Sequence, residues 1–251
     1  MISLKSKMFK SMTGTGGFSS KLLTALVVAL SSTAALADGN SVYIDQTNAD
    51  NSNVTITQTG QDNKLGDPNS LTIPQFTIDG NAMDFTATQD GMGNSITGNF
   101  IGGDSTANIN QTGDFNTSVL NFGNSGSNGG TLSKIIIGNN NATTLNIGTT
   151  ASANNYNYLL NIGTTGINGS SSSNNAVTST INSNNATTAI AISGGNSNVV
   201  NTTQSGGSGH SINLNVIGGS NTVGITQGGV NANSAIINIT GSGTTTSVSQ
   251  Q

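Results

Sequence analysis

Cysteine is missing from all 251 residues, so neither a disulfide framework nor a thiolate metal site can form. Tryptophan is missing too, and aromatic residues supply only 4% of the chain, too few for a conventional globular core. Glutamate and arginine do not occur; all 10 acidic residues are aspartates, confined to Asp38 through Asp114. The two prolines, Pro68 and Pro74, fall together, so 64–80 is expected to be a loop or insertion, because proline cannot donate to a sheet ladder.

These shortages also limit catalysis. The single histidine, His210, has no carboxylate near it in sequence, so a Ser-His-Asp arrangement is unsupported and His210 reads as a solvated turn residue. The calcium nonapeptide of repeat proteins is absent, and Gly102-Gly103 precedes no strand–helix unit that could cradle phosphate. Tyr156 and Tyr158 alternate in a strand-like phrase and read as packing residues. No enzyme activity, cofactor or metal site is expected.

Long apolar runs are equally scarce. Leu22 to Leu30 is one, preceded by Lys5, Lys7, Lys10 and Lys21 and followed by Ala35-Leu36-Ala37, a small-x-small cleavage site. Residues 1–37 therefore read as a secretory signal peptide, and the mature chain is expected to be secreted with no integral membrane segment. Cleavage leaves Lys64 and Lys134 against the 10 aspartates, a net charge of 2 − 10 = −8. Nucleic acid and anionic membranes are poor partners for that balance. Beyond Asp114 only Lys134 and His210 can carry a side-chain charge near neutral pH, so this half has little electrostatic defence against self-association.

What the chain does have is repetition. An alternating phrase, apolar-x-apolar-x-Gln-x-Gly, appears at Val54–Gly60, Phe85–Gly91, Ala107–Gly113 and Val223–Gly229. Period-two alternation marks a strand with one buried face, and the following Gly and Asn suit a turn. Sister phrases carry an apolar residue in the glutamine slot, as in Leu145-Asn146-Ile147 and Leu160-Asn161-Ile162. One block of slots reads Gln89, Phe100, Gln111, Phe122; another reads Ile181, Ile192, Gln204, Val216, Gln227, Ile239, Gln250. The half-repeat is 11–12 residues and the full repeat 22–23. Between 124 and 180 the slots Ile137, Ile147 and Ile162 are spaced irregularly.

Such a repeat predicts an all-β solenoid over 38–251, each repeat making one strand–turn–strand coil stacked in register on the next. Residues one repeat apart then lie above one another. Gln46, Gln58, Gln89, Gln111, Gln204, Gln227 and Gln250 are expected to form an amide ladder, since a primary amide both donates and accepts. Phe100 and Phe122, and Ile192, Val216 and Ile239, are expected to form an apolar column. Gly60 with Asn63, Gly91 with Asn94, Gly113 with Asn116, and Gly229 with Asn231 are expected to make the turns.

The phrase Gln58-x-Gly60-x-x-Asn63, repeated at Gln89-x-Gly91-x-x-Asn94 and Gln111-x-Gly113-x-x-Asn116, resembles the curlin repeat. Unlike that repeat, the second strand of each coil carries an apolar residue in the glutamine slot, and the spacing contracts after Gln227. The resemblance implies a divergent subunit of a curli-like amyloid fibre, pilus-like and deposited at the cell surface, serving biofilm matrix and cell adhesion. It also implies a nucleator subunit and an outer-membrane secretion pore as partners, beside self-association into a homopolymer. A monomeric β-solenoid binding module, such as an adhesin segment or an ice-binding protein, is the alternative.

Overall fold

The computed structural model describes residues 25–31, 39–46, 50–66, 76–78, 80, 82–99, 104–121, 130–147, 157–163 and 172–251. Among them there is no helix; the fold is an all-β solenoid of parallel, stacked strands. The chain opens with β1 (Ala25–Ser31), β2 (Ser41–Val42), β3 (Ile44–Gln46), β4 (Asn53–Gln61), β5 (Lys64–Leu65) and β6 (Phe76–Ile78). It continues through β7 (Asp84–Met92), β8 (Ser95–Thr97), β9 (Thr106–Thr112), β10 (Thr117–Asn121), β11 (Leu132–Ile137), β12 (Ala142–Ile147) and β13 (Asn157–Ile162). The last seven are β14 (Ala176–Asn184), β15 (Thr187–Ser193), β16 (Val199–Ser208), β17 (Ser211–Ile217), β18 (Thr222–Gln227), β19 (Ser234–Thr240) and β20 (Thr245–Gln250).

Alternate strands go to opposite walls. One nine-stranded sheet runs β1-β4-β7-β9-β11-β13-β15-β17-β19, and the other runs β2-β5-β8-β10-β12-β14-β16-β18-β20. The chain lays down a strand in the first wall, turns, lays one in the second and climbs one step. Strict alternation of burial along the strands follows from this, as in β9, where Ala107, Ile109 and Gln111 are buried and the residues between them face out. The core is the narrow space between the walls, filled by columns such as Ile162, Ile192 and Val216.

The described strands of the expected irregular stretches stack as regular coils. In the 124–180 stretch Leu132 pairs with Tyr158 and Ile136 with Ile162, in register with Gln111 below. Ile136, not Ile137, occupies the slot, one residue from the position expected. The 64–80 segment is not wholly loop: Lys64–Leu65 is a strand of the second wall, and Phe76–Ile78 pairs with Ile44–Gln46 in a small separate sheet. Phe76 is fully buried, with its ring 4.8 Å from that of Phe85, so this side sheet is pinned to the core by an aromatic pair.

Candidate functional site: polar ladders and open sheet edges

The corner between the first and second walls repeats a four-residue pattern. It reads Gly60-Gln61-Asp62-Asn63, then Gly91 to Asn94, Gly113 to Asn116, Gly138 to Asn141, Gly195 to Asn198 and Gly218 to Asn221. The third position is always left-handed, with φ 54° at Asp62, 55° at Phe115 and Asn140, and 59° at Ser220. The first position is glycine in these six corners for a second reason. A Cβ on Gly91, whose φ is +119°, would run into the carbonyl oxygen of Gly113 in the next coil. Close backbone approach sets the residue here, and the turn geometry agrees with it.

The asparagine that ends each corner builds a continuous ladder. The backbone N–H of Asn94 donates to Asn63 Oδ1 at 3.0 Å, and that of Asn116 to Asn94 Oδ1 at 3.0 Å. The same step repeats at Asn141, Asn175, Asn198 and Asn221, at 3.0 to 3.1 Å. It begins with Asn63 N–H on Asn40 Oδ1 at 2.8 Å and ends with Thr244 N–H on Asn221 Oδ1 at 2.9 Å. Most of the side-chain amides also donate to a backbone carbonyl, as Asn116 Nδ2 does to Gly138 O, and Asn175 Nδ2 donates instead to Ser172 Oγ. Fully buried asparagines thus have every polar atom placed, which is the condition for keeping them in a dry interior.

The glutamines form two shorter ladders on opposite walls. Gln58, Gln89 and Gln111 are register partners in the first wall, and Gln111 Nε2 donates to Gln89 Oε1 at 3.2 Å. Gln204, Gln227 and Gln250 are register partners in the second wall, with Nε2 to Oε1 bonds of 3.1 and 2.9 Å. Every one of the six follows one rule: its Nε2 donates to the carbonyl of the first residue of the preceding strand in the opposite wall. The acceptors are Ser41, Lys64 and Ser95 for the first ladder and Thr187, Ser211 and Ser234 for the second. Gln58 Oε1 stands out, because it is buried with no donor.

Other residues expected in these columns fall differently. Gln46 lies in β3, opposite Ile78 in the side sheet and off the ladder. Ile192, Val216 and Ile239 are register partners in the first wall, whereas Phe100 and Phe122 lie outside the described residues. Gly229 and Asn231 follow a second-wall strand, so they belong to the opposite corner from Gly60 and Asn63, and Asn231 is exposed. Contraction of the spacing after Gln227 is the sequence trace of that change of corner.

Three ionisable groups are interior. His210 is not a solvated turn residue: it is fully buried at the opposite corner, where its Nδ1 accepts the Asn233 N–H at 3.2 Å and its Nε2 has no partner. Lys134 pairs in register with Ile109 and Leu160 in an apolar column, and its Nζ is buried with no partner. Desolvation pushes its pKa down to about 7. Burial likewise raises the Tyr158 phenol above its ordinary range, against a lowering by its hydrogen bond with Ser179. No group of three or more potential metal-ligating side chains occurs among the described residues, and none of their helices is long and apolar enough to cross a membrane, since there are none.

No described strand lies beyond β19 and β20, whose outer edges carry unpaired backbone groups across 234–240 and 245–250. Ile237 and Val248, which continue buried columns, are only half-covered there, and Ile236 is 73% exposed. At the opposite end β1 pairs with β4 over seven residues, Ala25↔Asn53 to Ser31↔Thr59. No protein-family model, curated protein or solved structure matches this chain.

Proposed function

We propose that this chain is the structural subunit of a secreted, curli-like amyloid fibre that grows by stacking copies edge to edge at the cell surface. The β-solenoid is a repeat scaffold, and the observation that carries the reading is its open end: two full-length neighbouring strands, β19 and β20, with their edges free. Natural sheets blunt such edges with charge, proline or a covering element. Here the last strands have none of these.

Charge supports the same reading. Beyond Asp114 the only ionisable side chains are Lys134, Tyr156, Tyr158 and His210; Lys134, Tyr158 and His210 are buried, so the outer surface of this half lacks charged groups that would repel a second copy. The curlin resemblance adds a nucleator subunit and an outer-membrane pore as partners, and biofilm matrix and adhesion as the role. The chemistry favours structure over catalysis, because the buried asparagines and glutamines are spent on coil-to-coil ladders.

Electron microscopy of the exported chain after dilution from denaturant tests the reading directly. Unbranched fibres with a lag that seeds abolish, thioflavin binding and a reflection near 4.7–4.8 Å are expected. A chain that stays monomeric for days at high concentration overturns it. A second reading, a monomeric binding module of the ice-binding kind, draws on the outward column Thr180, Thr203 and Thr226. Thermal hysteresis without fibres would favour it.

A further inference from the structure

The two glutamine ladders lie at opposite ends of the stack and on opposite walls. That placement constrains how one copy can meet the next. Removing the leader strand β1 leaves eight strands in the first wall (9 − 1) against nine in the second. The processed solenoid would then begin with a second-wall strand, β2, and finish with a second-wall strand, β20. A continuous stack must alternate walls. A second copy can therefore extend it without a missing strand only if it is rotated by half a turn about the long axis.

We propose that successive copies join head to tail with this half-turn, β20 of one copy lying on β4 of the next and β19 on β2; the proposal rests on the fibre reading above. Three independent details meet at that junction. Gln250 comes into register with Gln58, which joins the two ladders. In the second ladder each glutamine passes its Nε2 proton forward, Gln204 to Gln227 and Gln227 to Gln250. Gln250 is thus left to donate onward, and among the six ladder glutamines Gln58 alone has a buried amide oxygen that lacks a donor.

The corner agrees. His210 and Asn233 copy the asparagine ladder at the opposite corner, and each is followed by a serine that opens a strand, Ser211 and Ser234. Asn40 is likewise followed by Ser41, the first residue of β2. After a half-turn Asn40 sits one step above Asn233, placing its N–H to donate to Asn233 Oδ1. Without the rotation, β19 would meet β4 and set Ile239 against Gln58, leaving the orphan oxygen without a donor. The leader does the same, since its register sets Leu30 beside Gln58. In the unprocessed chain β1 holds the site that β20 would take, so cleavage of the leader is what opens the junction.

Disulfide trapping tests this, because the native chain has no cysteine. The half-turn aligns Ser249 with Thr57, both outward-facing. Parallel neighbours in register stand within the Cα separation a disulfide accepts. Exported Ser249→Cys and Thr57→Cys chains are mixed, allowed to form fibres and oxidised. A cross-linked dimer at least ten-fold more abundant than in a mixture of Asn238→Cys and Thr57→Cys is expected. The reverse preference, in normal fibres, overturns the half-turn and leaves the fibre reading standing. Equal, low cross-linking of both pairs in fibres also overturns it. Absence of fibres from the native chain overturns both.

Discussion

Asn63 Oδ1 receives two donors from one residue: the backbone N–H of Asn94 at 3.0 Å and its side-chain Nδ2, also at 3.0 Å. This two-pronged contact ties each coil to the next through a side chain, beyond the hydrogen bonds of the two walls. It also fixes register. A coil slipped by one residue would lose both donors and bury an unpaired amide oxygen.

Truncating one asparagine should therefore be costly. Asn141→Ala strands the N–H of Asn175, takes one of two acceptors from its Nδ2, and removes one donor each from Asn116 Oδ1 and Ser172 O; the backbone N–H at 141 still reaches Asn116 Oδ1. An unpaired buried group costs about 1–3 kcal/mol, offset where water or relaxation reaches it, so with the weakened neighbouring bonds a net loss of about 2–3 kcal/mol is expected. The exposed Asn201→Ala in β16 should stay within about 0.5 kcal/mol. Denaturant midpoints of the two variants measure the contrast; equal midpoints would show that the ladder adds no stability.

Gly91→Ala and Gly224→Ala make a second pair. At Gly91 the added methyl meets the Gly113 carbonyl and the backbone sits at φ +119°, so strain and displacement act together. At Gly224, mid-strand and outward-facing, nothing lies within 4 Å. A loss of several kcal/mol is expected at Gly91, judged by the roughly 1–3 kcal/mol of overpacking alone. A small gain is expected at Gly224, because alanine limits the unfolded chain more than glycine does. Thermal unfolding followed by circular dichroism separates the two.

The solenoid was legible in the sequence because period-two alternation and a recurring repeat are local signals that survive without knowledge of tertiary contacts. Pairings such as Gln89 with Gln111 and Gln204 with Gln227 follow from that period alone. The change of wall between the two ladders was not legible from slot spacing, because half-repeats of 11 and 12 residues look alike from either wall. Glutamine was also the wrong anchor for the whole length. The signal that runs from Gly60 to Asn221 is Gly-x-x-Asn, interrupted only where Ser172 takes the glycine position before Asn175. His210 read as a turn residue because it is one; its burial comes from the coils on either side, which no local pattern displays.

That position offers a third prediction. His210 Nδ1 does the work of an asparagine oxygen toward the Asn233 N–H, but the ring leaves Nε2 buried without a partner. His210→Asn keeps an acceptor near the same place and removes the stranded donor, so a gain of about 1 kcal/mol is expected. His210→Leu removes the acceptor and should lose about 1–3 kcal/mol, since the Asn233 N–H is then unpaired. Chemical denaturation at neutral pH orders the three proteins; a leucine variant as stable as the asparagine one would discard the ladder role.

Lys134 gives the fold a pH dependence whose sign follows from burial. Its ordinary pKa is 10.5, and desolvation in the folded state brings it down to about 7. Above pH 10.5 the amine is neutral in both states and costs nothing through charge. As pH falls from there toward 7, the unfolded chain takes up the proton and the folded chain does not, so stability drops by about 1.4 kcal/mol per pH unit. Below pH 7 both states are protonated and the full penalty, on the order of 5 kcal/mol, persists. Tyr158 limits the alkaline side, because a phenol raised by burial loses stability as pH climbs past its ordinary value near 10. Stability should therefore increase between pH 6.5 and 9.5. Lys134→Met, of similar shape, should flatten that slope and exceed the native chain most at pH 6.5, with the two converging near pH 10. Denaturant midpoints across this range check it; parallel profiles for the two chains would show that Lys134 reaches water in the folded state.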